Sequence, residues 1–405
     1  MLAAKDLDRF SELAAGFVAR GEVPGVVALA ARGDQVHTEA FGSLSLGGPP
    51  VREDSIFRVG STTKPMTGVA TLALVAEGLL SLGEPVDRLL PELANRRVLR
   101  RMDGPLDDTV PAQRAITVRD LLTFTFGFGS SGAMQMWPER FPVVAATERA
   151  LHLPAFVRPD PACPLDPDAW IAALASLPLI AQPGERWLYN SGAAVLGVLL
   201  ARAAGQPLAE VLRTRVFEPL GMRDTGFWTS QPDRMATAYQ RSRKAGFTVL
   251  DECGRDWSKP PAFCDGAIGL ITTAGDLLAF SRMLLRGGSP VLPADAVTEM
   301  TSDQLTPEQK SRIDMGKSLL ASRSWGFCTF VVTGGPDAGS FGMGGFFGTS
   351  WLVNPALDLT VIVMTQRELA GGRLPKTHLD LQTAARSASA QSASAQTASA
   401  QTASV

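Results

Sequence analysis

Hydrophobic and polar residues change their spacing several times along this chain of 405 residues. The N-terminal residues mix charged and apolar positions at close spacing, which predicts a helix. Two short apolar runs follow, at 26–31 and 35–41, and the Arg-Gly-Asp between them predicts a tight β-hairpin. From 65 to 80 the side chains are almost all apolar, which predicts a helix buried on most sides.

Later patterns divide the chain into two kinds of structure. The middle alternates helical runs, such as 168–177 and 193–204, with loops that contain Pro and Gly, which predicts a largely helical insert. Strand patterns return at 326–332, 346–353 and 359–364. We therefore expect an α/β (α+β) fold: an antiparallel sheet flanked by terminal helices, plus a mostly helical second domain.

The predicted domain boundaries follow from these patterns. Residues 1–60 and 245–385 form a discontinuous α/β sandwich domain, and residues 61–244 form the helical domain. The last segment, 386–405, consists of Ser, Ala and Gln repeats with little to bury, which predicts a disordered tail.

Composition and charge narrow the classes of function. Hydrophobic residues make up 45% of the chain and the formal net charge is −2, so we expect a globular protein without the basic surface that holds nucleic acid. The longest apolar run, 68–80, is interrupted by Glu77 and falls short of the roughly 20 residues that cross a bilayer. Without a secretory signal at the N-terminus, the sequence predicts a cytoplasmic protein and no membrane partner.

Cysteine and histidine positions argue against a metal or a histidine-based site. Cys163, Cys253, Cys264 and Cys328 are scattered and have no histidine nearby, so we expect free thiols and no metal or other cofactor. The histidines follow no G-x-S-x-G elbow, which argues against a Ser-His-Asp triad.

A candidate nucleophile lies where a strand pattern gives way to the buried helix. Ser61 and Lys64 stand three residues apart in the segment Phe-Arg-Val-Gly-Ser-Thr-Thr-Lys-Pro at 57–65, so one helical turn brings the hydroxyl and the amine to the same face. A helix N-terminus also lowers the pKa of a nearby lysine and binds a developing oxyanion. Ser-x-x-Lys is common by chance, but burying an amine beside an apolar run costs stability unless it has a partner or a task.

Two further segments carry candidate chemistry. Tyr189, one of two tyrosines, stands just before a predicted helix, and a phenol close to Lys64 is able to take the Ser61 proton and return it to a leaving group. The glycine-rich segment 341–350 runs into a strand, where its backbone would present an N–H opposite that of Ser61 and complete an oxyanion hole.

These segments together resemble the β-lactamase-related superfamily. The likeness covers nearly the whole chain, to about residue 366. It implies the fold of β-lactamases and penicillin-binding proteins, an α/β sandwich plus a helical domain. It is carried by the segment 57–65, Ile-Thr-Val-Arg-Asp-Leu-Leu-Thr at 116–123, Pro-Gly-Glu-Arg-Trp-Leu-Tyr at 183–189, Phe-Glu-Pro-Leu-Gly-Met at 217–222, and 269–280.

The resemblance also implies roles for individual residues. Ser61 matches the nucleophile, Lys64 its partner, and Tyr189 the general base and acid. Phe346 follows the third motif of the family, so the N–H groups of Ser61 and Phe346 would bind the oxyanion.

Two departures from the family pattern bear on the substrate. Ser191 stands where an asparagine is expected, with Asn190 one place early. Met343-Gly344-Gly345 stands where the family has the Lys-Thr-Gly that recognises a β-lactam carboxylate. A second segment, Lys376-Thr377-His378, only looks like this motif and is called the decoy motif. It follows the last strand pattern, and it ends in histidine where glycine is needed. We assign substrate binding to Ser191, Met343, Gly344 and Gly345.

The sequence therefore predicts a serine hydrolase that cleaves a small ester, or a related acyl compound or amide, through an acyl-enzyme on Ser61. The family VIII carboxylesterases are the preferred comparison. The alternatives that stay open are a class C-like β-lactamase, a D-amino-acid peptidase and a transacylase of the same fold. From another class, a catalytically silent binding protein also stays open.

Overall fold

The structure of the protein is a computed structural model. It describes residues 2, 4–152, 162–242, 244–252, 256–314, 322–369 and 374–402. Residue 4 and residues 390–402 are described by their backbone alone.

The main sheet has seven strands, all paired antiparallel. It brings the early hairpin beside the last strand, so the two ends of the chain share one sheet. In spatial order the strands are β2 (Gln35–Gly42), β1 (Gly25–Arg32), β13 (Leu359–Thr365), β12 (Thr349–Asn354), β11 (Phe341–Gly345), β10 (Phe330–Val332) and β9 (Arg323–Trp325).

Short two-stranded pairs lie outside the main sheet. They are β3 (Phe57–Arg58) with β8 (Ile271–Thr272), β4 (Arg97–Leu99) with β5 (Thr109–Pro111), and β6 (Ala238–Ser242) with β7 (Gly246–Asp251). The β3–β8 pair matters for the site because β3 leads directly into the segment that carries Ser61.

The helices surround the sheet and fill the middle of the chain. Most of them lie between β3 and β9, as the spacing of apolar residues predicts. They are α1 (Ala4–Ala19), α2 (Thr63–Ala76), α3 (Val118–Leu122), α4 (Gly132–Met136), α5 (Pro142–Leu151), α6 (Pro167–Ala175), α7 (Ser191–Ala204), α8 (Leu208–Leu212), α9 (Glu218–Leu220), α10 (Ala274–Leu285), α11 (Ala294–Met300), α12 (Pro307–Ser311) and α13 (Lys376–Thr402).

Both faces of the sheet are covered, which explains why β1 reads as a continuous apolar run instead of an alternating one. Side chains such as Phe10 and Phe17 of α1 pack with one set of alternate strand residues, and α13 lies on the same face. The other set, which includes Leu29 and Ile362, joins a larger core with α2 and α10. This larger core carries the site.

Helix α2 is buried through most of its length and packs against α7. Its apolar residues are neither alternating nor confined to one stripe, because neighbours surround the helix. A short 3-10 turn, Gly60–Thr62, joins β3 to α2 and holds Ser61. The nucleophile candidate is therefore anchored by the most buried helix of the core.

The predicted fold class is confirmed: an antiparallel sheet, terminal helices on one of its faces, and mostly helical structure in between. Two predicted strands are wrong in detail. The run 326–332 is interrupted by Cys328, whose φ of 56° breaks the strand, and residues 346–348 form a turn with Gly348 at φ 89°. The division into domains at residues 60 and 245 stays a prediction.

The C-terminal segment differs from the sequence expectation. Helix α13 continues past residue 386, where the composition predicts a disordered tail. Arg386 forms an ion pair with Asp337 at 2.6 Å, Ala388 is buried, and Arg32 donates to the carbonyl of Ser389 at 2.9 Å. Residues 386–389 thus have tertiary contacts that composition does not show, and the disordered tail stays a prediction.

Within the described ranges, no single helix is long and apolar enough to cross a membrane. The stretches Ser191–Ala204 and Leu208–Leu220 pass such a test only together, and they are bent by 82°. Cys264 and Cys328 are free thiols, Cys163 is buried, and Cys253 lies outside the described residues.

Deletion of residues 386–405 should destabilise the protein by about 2 kcal/mol, because it removes the Arg386 ion pair, the hydrogen bond from Arg32 to the Ser389 carbonyl and the buried side chain of Ala388. Deletion of 390–405 alone is the control and should cost clearly less. Urea denaturation measures both. Equal midpoints for the two truncated proteins would contradict the contribution assigned to residues 386–389.

Candidate active site

Three functional groups from two distant segments meet at one point. Lys64 Nζ lies 3.0 Å from Ser61 Oγ, and the Tyr189 hydroxyl donates to the same Oγ at 2.8 Å. Ser61 is 7% exposed, whereas Lys64 is fully buried. The hydroxyl thus has a path to solvent while its amine partner has none.

The sharp turn before α2 sets the position of Ser61. Gly60 has a φ of 49°, and a Cβ there would come within 2.9 Å of the Phe346 backbone nitrogen. A side chain would therefore be both strained and blocked. Glycine at this position allows the nucleophile turn to approach the end of β11.

Backbone pairing on the other side of the site fixes Tyr189. The N–H of Ser130 donates to the Tyr189 carbonyl at 2.9 Å, and the N–H of Tyr189 donates back at 2.8 Å. The tyrosine ring packs among the aromatic rings of Phe124, Trp187 and Trp325. The phenol is thereby held rigidly towards Ser61.

The Lys64 amine sits in an environment that favours its neutral form. Burial is the main cause and lowers its pKa to about 7. Its hydrogen bonds go to Ser61 Oγ and to the carbonyl of Ala267, at 2.9 Å, and it lies 4.8 Å from the centroid of the Tyr189 ring. Near pH 7 a large fraction of the amine is therefore an unprotonated base. The sequence attributed the lowered pKa to the helix terminus, but burial dominates.

The pKa of the Tyr189 phenol shifts in the opposite direction to that of the Lys64 amine. Burial raises its pKa to about 12, and the hydrogen bond to Ser61 offsets only part of this rise. Tyr189 is thus protonated over the whole neutral range and is a hydrogen-bond donor to Ser61.

The backbone nitrogen of Phe346 lies beside the turn that holds Ser61, since a Cβ at Gly60 would come within 2.9 Å of it. A Cβ at Gly345 would come within 2.1 Å of the Val59 carbonyl oxygen, so glycine lets the strand end touch the nucleophile turn. Neither N–H has an acceptor among the described residues. Both are available to a substrate oxygen, and their role as an oxyanion hole stays a prediction.

The residues predicted to bind substrate differ in their exposure and surroundings. Ser191 is fully buried at the first position of α7, and its hydroxyl has no partner among the described residues. Met343 is buried on the α2 side of the sheet, and Gly344 is half-buried next to Leu374 on the other side. Their role in substrate binding stays a prediction.

The decoy motif lies outside the site. Lys376 is exposed at the first residue of α13 and pairs with Asp380 at 2.6 Å. His378 is buried, and its Nδ1 lies 2.8 Å from Ser350 Oγ. Burial lowers the pKa of this imidazole to about 3, so it is neutral at ordinary pH.

Sequence reasoning missed the loop that supports Lys64. The carbonyl of Ala267 accepts the second hydrogen bond of the amine, and the carboxylate of Asp265 accepts from the N–H of Ala267 at 2.7 Å. No spacing rule connects these residues to Lys64, which lies about two hundred positions earlier. Only the fold brings them together.

A cavity of about 450 Å³ lies elsewhere, between α10 and the end of the sheet. Its lining includes Arg282, Asp358 and Thr360 and none of the three groups at Ser61. Within the described part of the chain, no cluster of His, Cys, Asp and Glu side chains has the arrangement of a metal site.

Comparison with known proteins identifies the family. The profile of the Beta-lactamase family matches residues 10–385, so the chain belongs to this family. Protein Rv1367c of Mycobacterium tuberculosis is 37% identical over 79% of this chain and 79% of its own length. Esterase EstB of Burkholderia gladioli is 31% identical over 87% of this chain and 88% of its own.

Solved structures show the same fold. EstCE1, described as a hydrolase with promiscuous acyltransferase activity, superposes with a TM-score of 0.77 at 23% identity. The match covers 94% of this chain and 98% of EstCE1. The β-lactamase-like and penicillin-binding-protein-like architecture predicted from the sequence is therefore confirmed.

Gly345→Ala should destabilise the protein by about 3 kcal/mol, because the new Cβ would collide with the Val59 carbonyl and with Thr349 Oγ1. Gly344→Ala is the matched control in the same strand. Its Cβ would meet only the movable end of Leu374, at 3.3 Å, and should cost less than about 1 kcal/mol. Urea denaturation compares the two variants, and a similar loss for both would refute the close contact between β11 and the nucleophile turn.

Proposed function

We propose that the protein is a serine hydrolase that cleaves carboxylic esters through a covalent acyl-enzyme on Ser61. The observation that carries this proposal is the double hydrogen bonding of Ser61 Oγ, to an amine with a pKa of about 7 and to a protonated phenol. A nucleophile next to a base of matched pKa is the arrangement that acyl transfer requires. Membership of the family and the similarity to EstB support an enzyme of the hydrolase class.

Acylation begins with proton transfer from Ser61 to neutral Lys64. Ser61 Oγ forms a bond to the ester carbonyl carbon, and the carbonyl oxygen becomes an oxyanion that accepts hydrogen bonds from the N–H groups of Ser61 and Phe346. When the bond to the alcohol oxygen breaks, the Tyr189 hydroxyl supplies the proton that this oxygen needs. The Lys64 ammonium then returns a proton to the tyrosinate, so the charges balance.

Hydrolysis repeats the same steps with water in place of the alcohol. Neutral Lys64 accepts a proton from the attacking water, and Ser61 regains its proton when the acyl bond breaks. The resemblance implied that Tyr189 acts as both base and acid. The raised pKa of Tyr189 instead favours Lys64 as the base and Tyr189 as the proton donor.

A neutral ester is the substrate that the residues near β11 favour. Met343 and its glycine neighbours offer neither the cation nor the hydroxyl that would hold a substrate carboxylate. If the protein hydrolysed nitrocefin at a rate similar to that of an ester, β-lactam hydrolysis would replace ester hydrolysis as the proposed activity. Formation of a new ester when an alcohol is added would indicate acyl transfer.

Ser61→Ala should lower kcat/KM for p-nitrophenyl butyrate by at least about a thousandfold, because the acyl-enzyme has no other oxygen on which to form. Ser281→Ala is the control: this serine is buried on α10, where its hydroxyl bonds to Trp351, and should leave turnover nearly unchanged. Equal rates in wild type and Ser61→Ala would favour the alternative of a catalytically silent binding protein.

The pH dependence of kcat/KM should follow the protonation of Lys64. The ammonium form has no lone pair to accept the Ser61 proton, so activity should rise about tenfold per pH unit below about 7 and reach a plateau above it. Tyr189 stays protonated up to about 12 and should cause no loss on the plateau. A profile that is flat or falling between pH 5 and 8 would rule out Lys64 as the base.

A further inference from the structure

We infer that Asp265 is a positioning residue that orients the Lys64 amine and supplies the negative charge against which it titrates. This inference rests on the proposed function, since it concerns the base of the same site. Asp265 begins a loop between β7 and β8, residues 265–270, which is here called the 265–270 loop.

The 265–270 loop is bonded to the first turns of α2. Leu270 N–H donates to Thr63 Oγ1 at 3.0 Å, and Thr67 Oγ1 donates to the carbonyl of Gly266 at 2.7 Å. Between these contacts, Lys64 Nζ donates to the carbonyl of Ala267 at 2.9 Å. The loop therefore supplies the acceptor for the second hydrogen bond of the base.

Asp265 gives this loop its shape. Its side-chain Oδ1 accepts from the N–H of Ala267 at 2.7 Å, and its backbone carbonyl accepts from Gly269 N–H at 3.0 Å. The neighbouring Gly266 packs so closely on α7 that a Cβ would lie 2.7 Å from the Ala193 carbonyl oxygen. The Ala267 carbonyl is consequently fixed in direction, and so is the amine that donates to it.

Asp265 also acts on the Lys64 amine electrostatically. Burial lowers the pKa of Lys64 and the nearby carboxylate opposes this effect, while burial raises the pKa of Asp265 and the amine opposes it. The other titratable groups around Lys64 are Tyr189 and Cys328, and burial raises the pKa of both, so they are neutral near pH 7. Ser61 carries no charge in the resting site. After burial, the Asp265 carboxyl group is the largest influence on the pKa of the Lys64 amine, and it acts to raise that pKa.

Asp265→Asn separates charge from shape, because the amide oxygen still accepts from Ala267 N–H. The readout is the rate at which a fluorophosphonate modifies Ser61, followed by mass spectrometry from pH 5 to 9. Without the anion the ammonium is less stable, so the pH at which the rate is half-maximal should move about one unit lower than in wild type. The plateau rate should stay within about threefold.

Asp265→Ala removes both the charge and the acceptor of Ala267 N–H. It should show the same downward shift together with a plateau about tenfold lower, because the amine loses its fixed direction. Asp276→Asn is the matched control, since this partly buried carboxylate on α10 accepts from Asp224 N–H and Thr225 Oγ1 instead. It should leave the midpoint of the labelling profile unchanged. Circular dichroism establishes which variants are folded, and either folded Asp265 variant tests the charge.

The outcomes distinguish the inference from the proposed function. Labelling of Ser61 in wild type with an unshifted midpoint in a folded Asp265 variant would overturn the role of Asp265 and leave the hydrolase intact. An upward shift would do the same, because loss of a nearby anion lowers the pKa of an amine and cannot raise it. Failure of wild-type Ser61 to react at any pH would instead overturn the proposed function.

Discussion

The burial of one amine is the constraint on which the site depends. Lys64 lies at the start of the most enclosed helix of the core, where a charged ammonium is expensive to keep. The protein meets this cost with two hydrogen bonds and a lowered pKa, and no described residue forms a direct ion pair with the amine. The same desolvation that penalises the charge produces a base that is ready near neutral pH.

Backbone geometry, more than side-chain chemistry, brings the reacting groups together. Gly60 and Gly345 let the nucleophile turn and the end of β11 touch, and Gly129, with a φ of 146°, lets the strand-like segment before α4 pair closely with Tyr189. Each close approach removes space for a Cβ. Because these contacts link the sheet to the helical part of the chain, the site and the core stabilise each other.

The sequence predicted the sheet, the buried helix and the positions of Ser61, Lys64 and Tyr189, because apolar periodicity and short motifs are local signals. It did not predict the 265–270 loop, since nothing local ties Asp265 to an amine two hundred positions away. Nor does composition show the hydrogen bond from Arg32 on β1 to the Ser389 carbonyl, because that contact depends on the tertiary fold. The proposal of Lys64 as the base and Tyr189 as the proton donor depends on the burial of both groups, which only the folded structure shows.

Trapping the covalent intermediate would show whether Ser61 is the nucleophile. The protein is mixed with p-nitrophenyl butyrate, quenched in acid within the first turnover, digested, and mapped by mass spectrometry. If Ser61 is the nucleophile, a butyryl group is expected on the peptide that contains Ser61, attached to that serine. A butyryl group on another residue, or release of nitrophenol with no acylated peptide at any time, would contradict it.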